Sequence, residues 1–165
     1  MNQSNHNPDI PIVEQYSAAT VVGLGVTGFS VVRYLCARGF TVQVLDSRDQ
    51  PELAARLAED YPMVHARYGE FKSDALAGAS LVIVSPGIDL KQPSIREAKQ
   101  AGAHIVGDIE LFLQENTQPV IAITGSNGKS TVTTLVGEMI LSGGLQPLVA
   151  GNIGLPALDL SLIHI

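Results

Sequence analysis

The stretch Val120-Ile121-Ala122-Ile123-Thr124-Gly125-Ser126-Asn127-Gly128-Lys129-Ser130-Thr131 constrains this chain most tightly. A short apolar run enters a glycine turn there and leaves it as an amphipathic pattern. Val120 to Thr124 has the length and composition of a buried parallel strand. Beyond the turn, Val132, Leu135, Val136, Met139 and Ile140 fall on one helix face. A strand-to-helix junction aims backbone N–H groups and the positive end of the helix dipole at an anion. Gly125 and Gly128 let the backbone curl around phosphate oxygens, Lys129 adds a mobile positive charge, and the Ser130 hydroxyl suits Mg2+. Residues Gly125, Ser126, Asn127, Gly128, Lys129, Ser130 and Thr131 are therefore expected to cradle a nucleoside triphosphate. The spacing departs from the general G-x-x-x-x-G-K-[ST] pattern, because Ile123 stands five residues before Gly128 and the upstream glycine of the turn is Gly125.

A second glycine loop lies about a hundred residues earlier. Gly23-x-Gly25-x-x-Gly28 follows an expected strand over Ala18 to Val22 and opens a helix running to about Arg38, with Val32, Leu35 and Cys36 inward and Gly39 as its stop. The next strand, Thr41 to Leu45, delivers Asp46-Ser47-Arg48 at its end. This is the dinucleotide-binding fingerprint in spacing and context. Its physical content is narrower than NAD: glycines admit a diphosphate to a helix N-terminus, and a carboxylate accepts hydrogen bonds from a ribose or base. Any nucleotide diphosphate satisfies that. An NAD-dependent oxidoreductase and a nucleotide-binding module without turnover both stand as alternative readings, although a dehydrogenase leaves the loop at Lys129 unexplained.

The remaining elements follow in order. Pro51 opens a helix with Leu53, Leu57 and Tyr61 inward, and a short strand covers Val64 to Ala66. Leu81 to Val84 is a buried strand ending in the turn Ser85-Pro86-Gly87-Ile88, Ser94 to Ala101 is helical, and His104 to Val106 closes the unit. Alternating strands and helices predict an α/β fold: a doubly wound, Rossmann-like parallel sheet over residues 18–106, with its ligand crevice at the loops of Gly23, Asp46 and Ser85. Gly107-Asp108-Ile109-Glu110-Leu111-Phe112 begins a short helix with Asp108 as N-cap, and residues 107–159 are expected to start a P-loop NTPase-like domain. After the Gly143-Gly144 turn, Leu148 to Ala150 reads as a strand leading into the loop Gly151-Asn152-Ile153-Gly154-Leu155-Pro156. Met1 to Ser17 is polar and aperiodic and reads as a loose arm.

Composition closes off other classes. The net charge of −6 argues against nucleic-acid or anionic-membrane binding, so phosphate must be held locally. Cys36 is the single cysteine, which excludes an internal disulfide, and it sits on an apolar helix face where packing explains it. No apolar run has transmembrane length and no signal-peptide pattern is present, so a cytoplasmic protein is expected.

With both loops placed, the chain resembles the N-terminal part of a Mur ligase, in the branch that adds D-glutamate. The resemblance runs from about Thr20 to Asp159 and rests on five motifs in family order: Gly23-Leu24-Gly25-Val26-Thr27-Gly28-Phe29-Ser30, Ser85-Pro86-Gly87-Ile88, Gly107-Asp108-Ile109-Glu110-Leu111-Phe112, Thr124 to Thr131, and Gly151-Asn152-Ile153-Gly154-Leu155-Pro156. The Thr-Gly-x-Asn-Gly-Lys form is the family's own phosphate loop. The resemblance implies that Val26 and Thr27 meet the diphosphate of a UDP-linked substrate, that Asp46, Ser47 and Arg48 meet its uridine with Gly87 alongside, and that Asn152 reaches the phosphates. It also implies that Lys129 contacts the β- and γ-phosphates of ATP, with Ser130 and Thr131 at Mg2+. The implied reaction is an ATP-dependent amide ligation of D-glutamate to UDP-N-acetylmuramoyl-L-alanine through an acyl phosphate in peptidoglycan precursor synthesis, by an enzyme monomeric at full length. Further metal ligands, a modified lysine and a third domain belong to the family beyond Ile165.

The last six residues, Leu160-Ser161-Leu162-Ile163-His164-Ile165, match one reading frame of a transposon mosaic-end sequencing adapter, CTG TCT CTT ATA CAC ATC. They are expected to be an adapter artefact, the alternative being an apolar native strand. The portion of the second domain before them is expected to lack enough sheet to bury the Val132–Ile140 stripe and to be inactive by itself.

Overall fold

Aliphatic and β-branched runs that alternate their burial between two faces assemble into one sheet. The computed structural model describes residues 7, 9–70, 72–151 and 154–163. Its strands are β1 (Ala18–Val22), β2 (Thr41–Asp46), β3 (His65–Tyr68), β4 (Leu81–Val84) and β5 (His104–Val106), all parallel, in the order β3-β2-β1-β4-β5. Val21, Val42, Val44, Leu81 and Ile83 bury on one face, whereas Val22, Leu45, Val82 and Val84 bury on the other. A parallel sheet covered on both faces requires this, because alternate side chains of each strand point to opposite sides.

The first face is covered by α2 (Val26–Ala37) and α3 (Ala54–Asp60), with α5 (Asp108–Glu115) and α7 (Ala157–Ile163) packed against α2. Phe29, Val31, Val32, Tyr34 and Leu35 are all buried, so α2 is covered almost all round. Arg38 ties α5 to α2: its guanidinium lies 3.8 Å from the Tyr34 ring centre and pairs with Glu115. Gly39, at φ +77°, ends α2 in a double closure, with Phe40 N–H donating to the Leu35 carbonyl and Gly39 N–H to that of Cys36. The second face is covered by α4 (Pro93–Gln100) and a 3-10 turn at Ser73–Leu76.

Three expectations need correction. Part of the N-terminal arm is ordered: α1 (Ile12–Gln15) buries Ile12 completely, and the Ile12 N–H donates to the Gln114 side chain at 2.8 Å. Gly107, not Asp108, is the N-cap of α5, because the chain stays extended through Gly107 and turns helical at Asp108. Burial pushes the Asp108 carboxyl above its ordinary value, with the N–H groups of Asp108 and Ile109 opposing it only in part.

The third correction concerns the strands expected at Val120 to Thr124 and Leu148 to Ala150. Neither forms; the second leaves one bridge between Ala150 and Leu155. A strand needs neighbours for its backbone groups, and no sheet edge reaches these segments. The helix expected after the turn does form, as α6 (Lys129–Ser142), but it has no buried residue. Val132, Leu135 and Met139 are 46%, 53% and 72% exposed. Leu160–Ile163, weighed above as adapter sequence or strand, complete α7, and His164 and Ile165 lie outside the described residues.

Gly28 is where loop and helix meet most closely. A Cβ placed there would stand 1.9 Å from the Gly23 carbonyl oxygen. Gly28→Ala should cost at least about 1–3 kcal/mol in urea unfolding, since backbone on both sides of the contact must yield.

Candidate functional site

The sheet order places a switch point between β1 and β4, where the chain departs in opposite directions, the place at which folds of this kind open a crevice outside the carboxyl ends of their strands. Three loops close around that carboxyl edge. Gly23, at φ +96°, makes the tight turn after β1, and its N–H donates to the Leu45 carbonyl at the end of β2. Ser85, after β4, donates its hydroxyl to the Gly23 carbonyl at 2.9 Å, and its N–H bonds to Val22. Gly25 has no protein atom within 4 Å of where a Cβ would stand, which leaves the middle of the loop open to a ligand, while Gly28 packs the helix onto the loop. Val26 and Thr27 occupy the first positions of α2, and Val26 is 69% exposed at this mouth.

Asp46 is the electrostatic centre of the crevice. Its side chain is 3% exposed, and each carboxylate oxygen takes two hydrogen bonds from the chain itself. Oδ2 accepts from Leu24 N–H at 2.6 Å and Arg48 Nη2 at 2.6 Å; Oδ1 accepts from Arg48 N–H at 2.9 Å and Arg48 Nε at 2.8 Å. Burial would raise the carboxyl, but these bonds and the guanidinium charge outweigh it and lower the pKa to about 2. Arg48, with its side chain 53% exposed, presents the other side of its guanidinium outward beside Ser47. Gly87, at φ +92°, is exposed on the far side of the crevice. Val26, Thr27, Asp46, Ser47, Arg48 and Gly87 thus gather at one edge, whereas Asn152 lies outside the described residues.

The second loop stands apart. Gly128, at φ +74°, is the N-cap of α6, and the Lys129 ammonium donates to the Gly125 and Ser126 carbonyls of its own loop. The Ser130 hydroxyl is on the exposed first turn, beside Thr131. Free N–H groups at a helix start, an ammonium and an exposed hydroxyl fit a polyphosphate with one Mg2+ coordination position. Among the described residues no group of three or more His, Cys, Asp or Glu forms a metal site, and no side-chain hydrogen bond or ion pair joins this loop to the first crevice.

Residues 17–107 match a known protein family, the Mur ligase MurD-like N-terminal domain. The chain belongs to this family. It is 52% identical over 149 residues to a UDP-N-acetylmuramoylalanine--D-glutamate ligase of Shewanella oneidensis, covering 88% of this chain and 34% of the relative. The corresponding ligase of Pseudomonas syringae pv. tomato is 52% identical over 140 residues, covering 85% and 31%. The chain therefore spans about a third of the length of these relatives. Among solved structures, a murein peptide ligase from Psychrobacter arcticus is similar at 20% identity with a TM-score of 0.53, covering 84% of this chain and 31% of that one. The UDP-N-acetylmuramate-alanine ligase of Thermotoga maritima gives 22% and 0.53, covering 76% and 29%. These two show a shared fold.

Two features of this Mur ligase fold escaped the sequence reading. Ser85 was visible as part of a turn, but nothing local signals that its hydroxyl reaches a carbonyl 62 residues away. The Leu24 N–H bond to Asp46 was equally hidden, although a glycine loop followed by an acidic residue at the next strand end is the pattern that brings them together. Among the described residues no helix is long and apolar enough to cross a membrane.

The Asp46 web has a pH signature. A carboxyl depressed from 3.8 to about 2 stabilises the fold fully above its ordinary value and loses that contribution as pH falls toward 2. Wild type should exceed Asp46→Asn by about 1–2 kcal/mol in urea unfolding at pH 6, a range discounted for the exposed Arg48, and the gap should close by pH 2.

Proposed function

We propose that the chain is part of an ATP-dependent ligase that joins D-glutamate to UDP-N-acetylmuramoyl-L-alanine. The observation that carries this reading is the meeting of the Gly23, Asp46 and Ser85 loops at one crevice in a chain that also holds a separate phosphate loop at Lys129. In this division, residues 18–106 bind the UDP-linked substrate and 107–159 supply the first part of the ATP site. Val26 and Thr27 offer N–H groups at the start of α2 to the diphosphate, while Asp46, Ser47 and Arg48 form the uridine end with Gly87 opposite. Asn152 completes the phosphate contacts. The site works in the cytoplasm, where nucleotide-linked precursors are made.

ATP supplies the phosphoryl group that activates the substrate carboxylate for attack by the D-glutamate amine. Lys129, which donates to its own loop carbonyls, would neutralise β- and γ-phosphate charge, the N–H groups of residues 126–131 would hold the same phosphates, and Ser130, with Thr131, would hold Mg2+. These residues position and neutralise.

Calorimetric titration tests the first assignment: UDP-N-acetylmuramoyl-L-alanine should bind and NAD should not. The reverse result would support an oxidoreductase, and binding of nucleotide without turnover in a full-length version would favour a sensing module. In that full-length version Lys129→Ala should lower ATP-dependent phosphate release at least about a hundredfold. Undiminished release would remove Lys129 from the assigned role.

A further inference from the structure

Tyr68 ends β3 at the carboxyl edge of the sheet, next to the loop that carries Asp46 and Arg48. In the parallel register Asp46 of β2 pairs with Tyr68 of β3, as Val44 pairs with Ala66 two residues earlier. Neighbouring strands lie about 4.8 Å apart and register partners share a face, so the tyrosine stands beside the carboxylate on the face that Val44 and Ala66 help to bury. The following residue fastens the two strand ends together. Gly69 N–H donates to the Arg48 carbonyl at 3.0 Å, and a Cβ on Gly69 would stand 2.8 Å from Asp49 Oδ1. The loop after β2 and the end of β3 therefore form one wall.

The chain has four tyrosines, and the other three are engaged inside the fold. Tyr34 lies under the Arg38 guanidinium, Tyr61 meets the Phe29 ring edge-on with centres 5.9 Å apart, and Tyr16 meets the His104 ring at 5.9 Å. Tyr68 is 37% exposed, and among the described residues no ring, cation or side-chain hydrogen bond engages it. Burial, and after it the Asp46 charge, raise its hydroxyl above the ordinary tyrosine value, so the ring stays neutral. A carboxylate offers about four acceptor positions, and at Asp46 Leu24 and Arg48 already take them. Ser47 and Arg48 are the exposed polar groups of this wall, and Tyr68 is its open flat surface.

We propose that Tyr68 is a specificity-determining residue of the nucleotide site, its ring stacking on the pyrimidine of the UDP-linked substrate beside the Asp46–Arg48 pair. This rests on the UDP reading above and adds to it the group that recognises the base. Stacking on an aromatic side chain demands a flat π-face from the ligand and needs no hydrogen-bond partner, which suits a wall whose carboxylate is already filled.

Calorimetry on the 165-residue chain tests it, with UDP and 5,6-dihydro-UDP, whose base is no longer planar and aromatic, as probes. Wild type should bind UDP about tenfold more tightly than the dihydro form. Tyr68→Leu, which keeps an apolar side chain on a half-open edge strand, should weaken UDP about tenfold and bring the two affinities together, because the preference and the ring are one interaction. Tyr68→Phe keeps the ring and should keep the preference. Full UDP affinity in Tyr68→Leu would overturn the proposal and leave the UDP reading standing, as would equal losses for both probes or a wild type that does not tell them apart. A wild-type chain that binds neither probe would overturn the UDP reading itself, and the proposal with it.

Discussion

The approach of α2 to the Gly23 carbonyl sets the geometry on which the rest of the first domain depends. With a hydrogen in place of Cβ at Gly28, the helix can sit directly on the loop that precedes it. Gly23 then turns at positive φ, its N–H reaches β2, and its carbonyl faces Ser85. From this contact the start of α2 is aimed across the ends of β1 and β4. The glycines matter because they let backbone approach backbone, and the donors left over are the ones a diphosphate would use.

Asp46 converts that arrangement into a charged site. A buried carboxylate costs several kcal/mol to desolvate unless its oxygens are filled. Here two backbone N–H groups and one guanidinium fill them, drawing the β1 and β2 loops together. The same bonds leave Arg48 as the outward-facing member of the pair. Charge at the crevice mouth is therefore set by a cation that its own neighbour orients, in a chain of net charge −6 that has no general attraction for phosphate.

The strands of the sheet, the helices between them and the three crevice loops were legible because burial on both faces writes continuous aliphatic runs, and because glycine at a strand end has few physical uses. Val120 to Thr124 reads as a strand by the same rule, yet stays out of any sheet. Its sequence encodes a preference that only neighbouring strands can satisfy, and local pattern carries no information on whether they are there. The helix after it needed no such neighbours and formed, with its apolar stripe exposed. What the sequence concealed were contacts between distant residues: Ser85 to Gly23, Leu24 to Asp46, and Asp159 to Ser30 and Arg33. Each joins polar groups whose partners are chosen by topology, and no spacing rule spans 129 residues. The misplaced cap at Asp108 has a smaller cause, since an acidic residue suits both the cap and the first turn of a helix.

The central claim is that the crevice between the ends of β1, β2 and β4 takes the nucleotide part of a UDP-linked substrate. Backbone amide chemical shifts recorded during a UDP titration test it most directly. The account predicts that the largest changes fall together at Gly23–Gly28, Asp46–Arg48 and Ser85–Gly87, with the amino-edge residues Thr41 and His65 unmoved. Changes confined to the 125–131 loop, or spread along the amino edge of the sheet, would contradict it.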